Sequence, residues 1–204
     1  SIENFLVARR LMYWQVYLHK TSVAYENMLV SALLRAKELA SKGVELFASP
    51  ALKFFLYNDI NRERFKSDPK CLENFILLDD NDIWTALKVW CNHNDIILAT
   101  LSQGMVNREI FKVEVSPTPC TEERLNAISE RIAKQLHINK EDTRYFISTP
   151  SIEKNMYNPA DDSIDILYND GSTTNIAEAS DMLHLSVLSK KVKKYYICYL
   201  REKK

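Results

Sequence analysis

The chain has 204 residues, 46% of them hydrophobic, which suits one large domain or two small ones with a real core. Its 27 basic and 27 acidic residues cancel, so no global field steers it toward nucleic acid or anionic lipid. Cys71, Cys91, Cys120 and Cys198 stand far apart without a C-x-x-C pair, which argues against a zinc site and a disulfide-framed secreted fold. Reduced thiols in a cytoplasmic protein are expected. No apolar run reaches the roughly 20 residues needed to span a bilayer.

Residues 2–41 read as one long helix. Phe5, Met12, Val16, Val23, Val30 and Leu34 recur near three- and four-residue spacing, residues 32–40 are mostly strong helix formers, and Gly43 stops the run. Shorter helices follow at 50–58, with Leu52, Phe55 and Leu56 on one face, and at 70–77, with Pro69 at the first helical position. Two more are expected at 80–95, behind an Asn81/Asp82 cap, and at 95–105, ending at Gly104.

The character changes near Arg108. Residues 110–115 (IFKVEV) alternate as a half-buried strand does, and Pro117 and Pro119 close it. Residues 121–136 place Leu125, Ile128, Ile132 and Leu136 on one side of a helix. Residues 143–149 are the next strand candidate, and 163–168 and 172–176 flank Asn169-Asp170-Gly171, a tight-turn signal. A helix at 182–192 and a strand at 195–200 finish the series. The expected fold is mainly α with an α+β C-terminal part. A long N-terminal helix and helical bundle occupy 1–108, and a small antiparallel sheet with helices on one face occupies 109–204.

The chemistry concentrates in residues 8–29, ARRLMYWQVYLHKTSVAYENML. Arg9, Arg10, His19 and Lys20 interleave there with Tyr13, Tyr17 and Tyr25. Cations and flat rings at helical spacing suit a ligand that carries phosphates and a base. They equally suit an amphipathic helix whose aromatics pack and whose cations face water.

The word order R-x-x-M-Y-x-x-V-Y-x-H-K-T, here Arg9, Met12-Tyr13, Val16-Tyr17 and His19-Lys20-Thr21, resembles the segment just after the catalytic core of HD-domain phosphohydrolases. These are the deoxynucleoside triphosphate triphosphohydrolases, or dGTPase-like enzymes. Asn107–Lys112 (NREIFK) looks like the family's short Arg-x-(Leu/Ile)-Phe-Lys element, and residues 158–166 fall near its C-terminal strands. The His…His-Asp…Asp set that names the family is absent, since none of His19, His93, His137 and His184 is followed by Asp. The resemblance, with a start at Ser1 inside a helical pattern, implies the C-terminal portion of a larger enzyme. It implies a divalent metal in an HD core outside this sequence, no metal and no catalytic residue in this chain, and no activity of this chain alone.

By the same resemblance, Arg9 reaches the triphosphate from outside the metal shell, and Tyr13 and Tyr17 line the sugar and base side of the substrate pocket. A guanidinium fork donates two parallel hydrogen bonds and keeps its charge, which suits phosphate oxygens. His19 and Lys20, with Arg108 and Lys112 on a second element, match groups that contact a regulatory nucleotide between subunits, so a dNTP or GTP and a second copy of the chain are the implied partners. Trp14, Gln15 and Asn169 stand where relatives carry further cations, which weakens the grip on a triphosphate. The alternatives are a non-catalytic oligomerisation module of an HD-family protein with a non-dNTP substrate, and a single-strand nucleic-acid module built on Lys190–Lys194 with Tyr195 and Tyr196. Neither membrane nor nucleic acid is the expected partner. Asp79-Asp80 and Asp161-Asp162 lack a His at metal-ligand spacing and read as caps or turns.

Overall fold

The computed structural model describes residues 2–154, 164–179 and 192–202. It is mainly helical with a small antiparallel sheet, and it divides into two compact units, each gathered from separate stretches of chain. The first takes Ser1–Val23, Val113–Thr121 and Thr149–Ile197; the second takes Ala24–Lys112, Glu122–Ser148 and Cys198–Lys204. No helix among the described residues is long and apolar enough to cross a membrane.

The first unit opens with α1 (Ile2–Met12) and a π-helical turn (Tyr13–Tyr17), followed by the first residues of α2 (Lys20–Ser41). It holds most of β1 (Lys112–Ser116), then β3 (Ser151–Lys154), β4 (Asp165–Leu167), β5 (Thr173–Asn175), α9 (Ile176–Ala179) and β6 (Val192–Tyr199) as far as Ile197. β3 runs antiparallel to β6, from Ser151 opposite Tyr195 to Lys154 opposite Val192. β4 and β5 form a separate two-stranded hairpin. Gly171 at φ 85 turns its tip, where Asp170 Oδ1 accepts from both the N–H (2.9 Å) and the hydroxyl (2.6 Å) of Ser172. Those bonds, the hydroxyl's first, hold the Asp170 carboxyl below its usual range. Among the described residues the hairpin stands apart from the four-stranded antiparallel sheet.

The second unit is a helical bundle. After α2 come α3 (Pro50–Tyr57), α4 (Arg62–Ser67), α5 (Pro69–Leu77), α6 (Asp80–Trp90), α7 (Ile96–Val106) and α8 (Glu122–Leu136). A 3-10 turn (Lys140–Tyr145) and β2 (Ile147–Ser148) follow, and β2 pairs with the end of β6. Caps set the boundaries. Ser49 Oγ accepts from Leu52 N–H (3.3 Å) behind Pro50, and Asp68 Oδ1 accepts from Lys70 N–H (3.1 Å) behind Pro69. Asp79 and Asp82 close a reciprocal capping box on α6, so the helix opens at Asp80 as expected, but its cap is Asp79 rather than Asn81.

α2 explains how this bundle closes. Ala24, Met28, Ala32, Ala36 and Ala40 are all buried and lie four residues apart, so they form one ridge along the helix. Small side chains on that ridge let neighbouring helices approach closely. Val30 and Leu34, expected to face the core, are exposed instead. Trp90 is the largest fully buried side chain, and its indole N–H donates to the Phe47 carbonyl at 3.0 Å.

Three further expectations change. Residues 143–145 belong to the 3-10 turn, where the Thr143 hydroxyl donates to the Lys140 carbonyl (2.7 Å) and tightens the backbone before a strand can start. α6 stops at Trp90, because Asp95 turns the chain to cap α7 through Leu98 N–H at 2.8 Å. α4 was unexpected; Asn61 Oδ1 caps it through Arg64 N–H at 2.8 Å. The expected helix at 182–192 lies, but for Val192, outside the described residues.

Candidate functional site

The segment that carries the sequence motif is not one uninterrupted helix. α1 runs to Met12, and the chain then widens by one residue, so that Leu18 N–H donates to the Tyr13 carbonyl at 2.8 Å, five residues back. Aromatic and β-branched residues fill four of the five positions at Tyr13–Tyr17, and such residues hold a regular helix weakly. Local side chains then complete the break. The Ser22 hydroxyl donates to the Val16 carbonyl at 2.8 Å, and His19 Nδ1 accepts from Thr21 N–H at 3.2 Å, which gives α2 its cap.

The result is an open hollow of about 520 Å³ on the first unit, lined by Phe5, Ala8, Arg9, Met12, Tyr13 and Tyr17. The rings of Tyr13 and Tyr17 are tilted with centroids 5.4 Å apart, and the Arg9 guanidinium carbon sits 5.9 Å from the Tyr13 ring centre. No carboxylate among the described residues pairs with Arg9, whose fork is exposed. A cation beside two flat rings and an apolar floor can take an oxyanion at one end and a ring at the other.

Of the other sequence candidates, His19 and Lys20 stand at the junction into α2, in the first unit, and both are exposed. Arg108 and Lys112 belong to the second unit, on the turn after α7 and at the first residue of β1. Arg108 holds φ 62, a left-handed conformation that favours glycine. It follows the Asn107 cap, with Glu109 N–H donating to the Gly104 carbonyl (2.8 Å) and Arg108 N–H to that of Met105 (3.4 Å). Lys112 Nζ lies 5.7 Å from the Tyr199 ring centre.

Among the described residues no group of three or more His, Cys, Asp or Glu gathers as a metal site. His93 Nδ1 accepts from Asp95 N–H (3.0 Å), and Asp79 is a helix cap. Asp161, Asp162, His184, Lys190 and Lys191 lie outside the described residues. Lys194 is found 3.9 Å above the Trp14 ring, a contact that its strand-like sequence gave no reason to expect. All four cysteines are free thiols, and burial pushes the Cys198 thiol above its ordinary range.

Sequence reasoning also missed a half-buried charge network on α2. Arg35 grips Asp95 with Nε to Oδ1 at 3.1 Å and Nη2 to Oδ2 at 2.6 Å, with both side chains mostly buried. Burial pushes the Asp95 carboxyl up, but the Arg35 fork and the Leu98 N–H outweigh it and leave it below its usual range. Glu38 accepts from Lys42 at 2.6 Å and from the Tyr145 hydroxyl, and Arg144 approaches it at 3.1 Å. Only the short spacings within the helix, Arg35 to Glu38 and Glu38 to Lys42, lie close in the sequence.

No protein-family model matches the chain. The solved structure of a phosphohydrolase from Bacteroides thetaiotaomicron is 72% identical, with a TM-score of 0.92, over 98% of this chain and 50% of its own. A hypothetical protein from Aquifex aeolicus covers 98% of this chain and 42% of its own at 20% identity and a TM-score of 0.54, a likeness of fold alone. The uncharacterized protein YwfO of Bacillus subtilis is 29% identical over 118 residues, 57% of this chain and 25% of its own. The chain thus spans half or less of the length of the relatives it matches, and its kinship is with a phosphohydrolase.

Proposed function

We propose that the chain is the C-terminal part of a cytoplasmic, metal-dependent phosphohydrolase of the HD-domain, dNTP triphosphohydrolase-like kind, and that α1 with its wide turn forms one wall of the substrate pocket. The observation that supports this most is the single hollow that gathers Arg9, Tyr13 and Tyr17. Arg9 takes oxygens of the triphosphate, while Tyr17 and Tyr13 line the sugar and base side. The divalent metal that activates water belongs to an HD core outside this sequence. The described residues do not fit a metal, so no step is assigned to one here.

His19, Lys20, Arg108 and Lys112 are the groups for a regulatory dNTP or GTP bound where copies of the chain meet. The exposed apolar residues of α1, Ile2, Phe5, Leu11 and Met12, favour a second reading in which this part serves assembly alone, within an HD-family protein of different substrate. A strictly monomeric species in sedimentation at high concentration defeats that reading.

The direct test is a thermal-shift panel with GTP and the four dNTPs at millimolar concentration. Ligand at about 100 times its dissociation constant stabilises by roughly 2.7 kcal/mol, a shift of a few degrees. A shift lost in Arg9→Ala supports the substrate wall, and one lost in Lys20→Ala supports the regulatory site. No shift with any nucleotide leaves the assembly reading ahead.

A further inference from the structure

The second unit contains a cavity of about 770 Å³, within the range of small-molecule sites. Its apolar lining includes the buried Met28, Phe111 and Leu136 and the half-buried Ile110 and Leu200. Gly104 makes room for that floor, since a Cβ there would stand 2.7 Å from Met28 Cε and drive the thioether methyl out of place. The Phe111 N–H points at Met28 Sδ, 3.4 Å away, which fixes the floor from the other side.

Two guanidinium groups join this apolar surface. Arg201 is held by its stem: Nε donates to the Ile110 carbonyl at 2.9 Å, and Gln135 Nε2 donates to the Arg201 carbonyl at 3.1 Å. Its two terminal NH2 groups meet no acceptor among the described residues. The Arg108 side chain also has no acceptor among them, and the residue occupies a backbone position that glycine would fill with less strain. Of the two carboxylates in the lining, Glu202 is engaged by Arg131 at 3.6 Å, and Glu109 remains. The last-turn carbonyls of Gly104 and Met105 are already taken by Glu109 and Arg108 N–H groups, so the negative end of α7 is capped.

We propose that this cavity binds a small amphipathic anion, a carboxylate or phosphate monoester on an apolar body about the size of one ring. The anionic head takes the free N–H groups of Arg201 and Arg108, and the body covers Met28, Phe111 and Leu136. A pinned guanidinium loses little freedom when it binds an oxyanion, and its planar fork matches a carboxylate or phosphate edge. The site shares Arg108 with the regulatory-nucleotide reading but uses none of Arg9, Tyr13, Tyr17, His19 or Lys20, so loss of binding in Arg201→Met but not in Lys20→Ala separates the two.

The test is a titration of the 15N-labelled chain with phenyl phosphate, benzoate and the neutral benzyl alcohol, followed by amide shifts. Saturable shifts at Gly104, Arg108–Phe111 and Leu200–Glu202 are expected with one or both anions, and the two arms tell a phosphate site from a carboxylate site. Benzyl alcohol binds about tenfold more weakly or worse, the loss of one charge-assisted contact. Arg201→Met and Arg108→Gly each weaken the anion by about tenfold, and Arg108→Gly relieves the left-handed backbone, so the fold survives to report it. Absence of saturable shifts up to about 10 mM overturns the proposal. Equal binding of benzyl alcohol, or indifference to both variants, does the same. Lys20→Ala leaves binding unchanged; if it abolishes binding, the anion sits at a nucleotide site and not in this cavity.

Discussion

α1 and α2 follow one another in the chain and both mix large apolar residues with cations, yet they bury different things. Among its described side chains α1 buries Leu6 alone, at 3% exposure, while Phe5 beside it is 63% exposed. α2 buries a ridge of four alanines and Met28 and turns Val30 and Leu34 outward. The size of a side chain on a helix therefore says little about which face becomes core. Small residues at four-residue spacing admit a close neighbour, whereas large ones without a partner remain a surface. α2 is the helix that holds its unit together, and α1 is the helix that offers contacts.

That contrast can be broken at several points, beginning with the largest. Arg35→Ala strips the fork from Asp95 and leaves a mostly buried carboxylate unpaired; a loss of about 3–5 kcal/mol is expected in urea unfolding. A loss under about 1 kcal/mol would mean that water screens the pair as it does a surface one. Ala36→Leu, on the fully buried ridge, should destabilise by about 1–3 kcal/mol through overpacking. An unchanged midpoint would show that the helices around α2 do not approach closely in solution.

A smaller effect depends on pH. The Lys42 ammonium and the Tyr145 hydroxyl, with Arg35 close by, hold the Glu38 carboxyl at about 2, down from 4.5. Because the folded value is the lower one, the stability it contributes is complete above the ordinary Glu range and disappears as pH falls from about 4.5 to about 2. Glu38 is partly open to water, so the contribution is on the order of 1 kcal/mol. Glu38→Gln should flatten unfolding midpoints across that acid window, and an unaltered acid slope would remove Glu38 from the account. Phe5→Ser on α1 should be the mildest, within about 0.5 kcal/mol, while reducing any self-association seen in sedimentation. Destabilisation beyond that would show α1 packed rather than offered.

The sequence revealed what local chemistry determines. Pro69 at a helix start, Gly43 at a helix stop (φ 81) and Gly171 at a hairpin tip stand where turn and cap rules place them. The grouping of Arg9, Tyr13 and Tyr17 on one wall was also readable, because four-residue spacing brings side chains together. Other features depend on partners distant in sequence. The Arg35–Asp95 grip joins residues 60 apart, and the second unit's cavity draws its lining from four separated stretches of chain. The break after Met12 escaped for a different reason: periodicity averages over a window, and one extra residue in a turn does not disturb the average.

β6 is not an edge strand. It lies between β1 and β2, and β3 pairs with it as well. While the ribosome is still at work, β1, β2 and β3 have no common neighbour to join, and their backbone groups remain with water. The helices of Ala24–Val106 already have their hydrogen bonds within reach. The nascent chain should therefore gain its helical part first and remain without its main sheet until residues 192–199 emerge. A chain lacking residues 192–199 would leave β1, β2 and β3 without the strand they share.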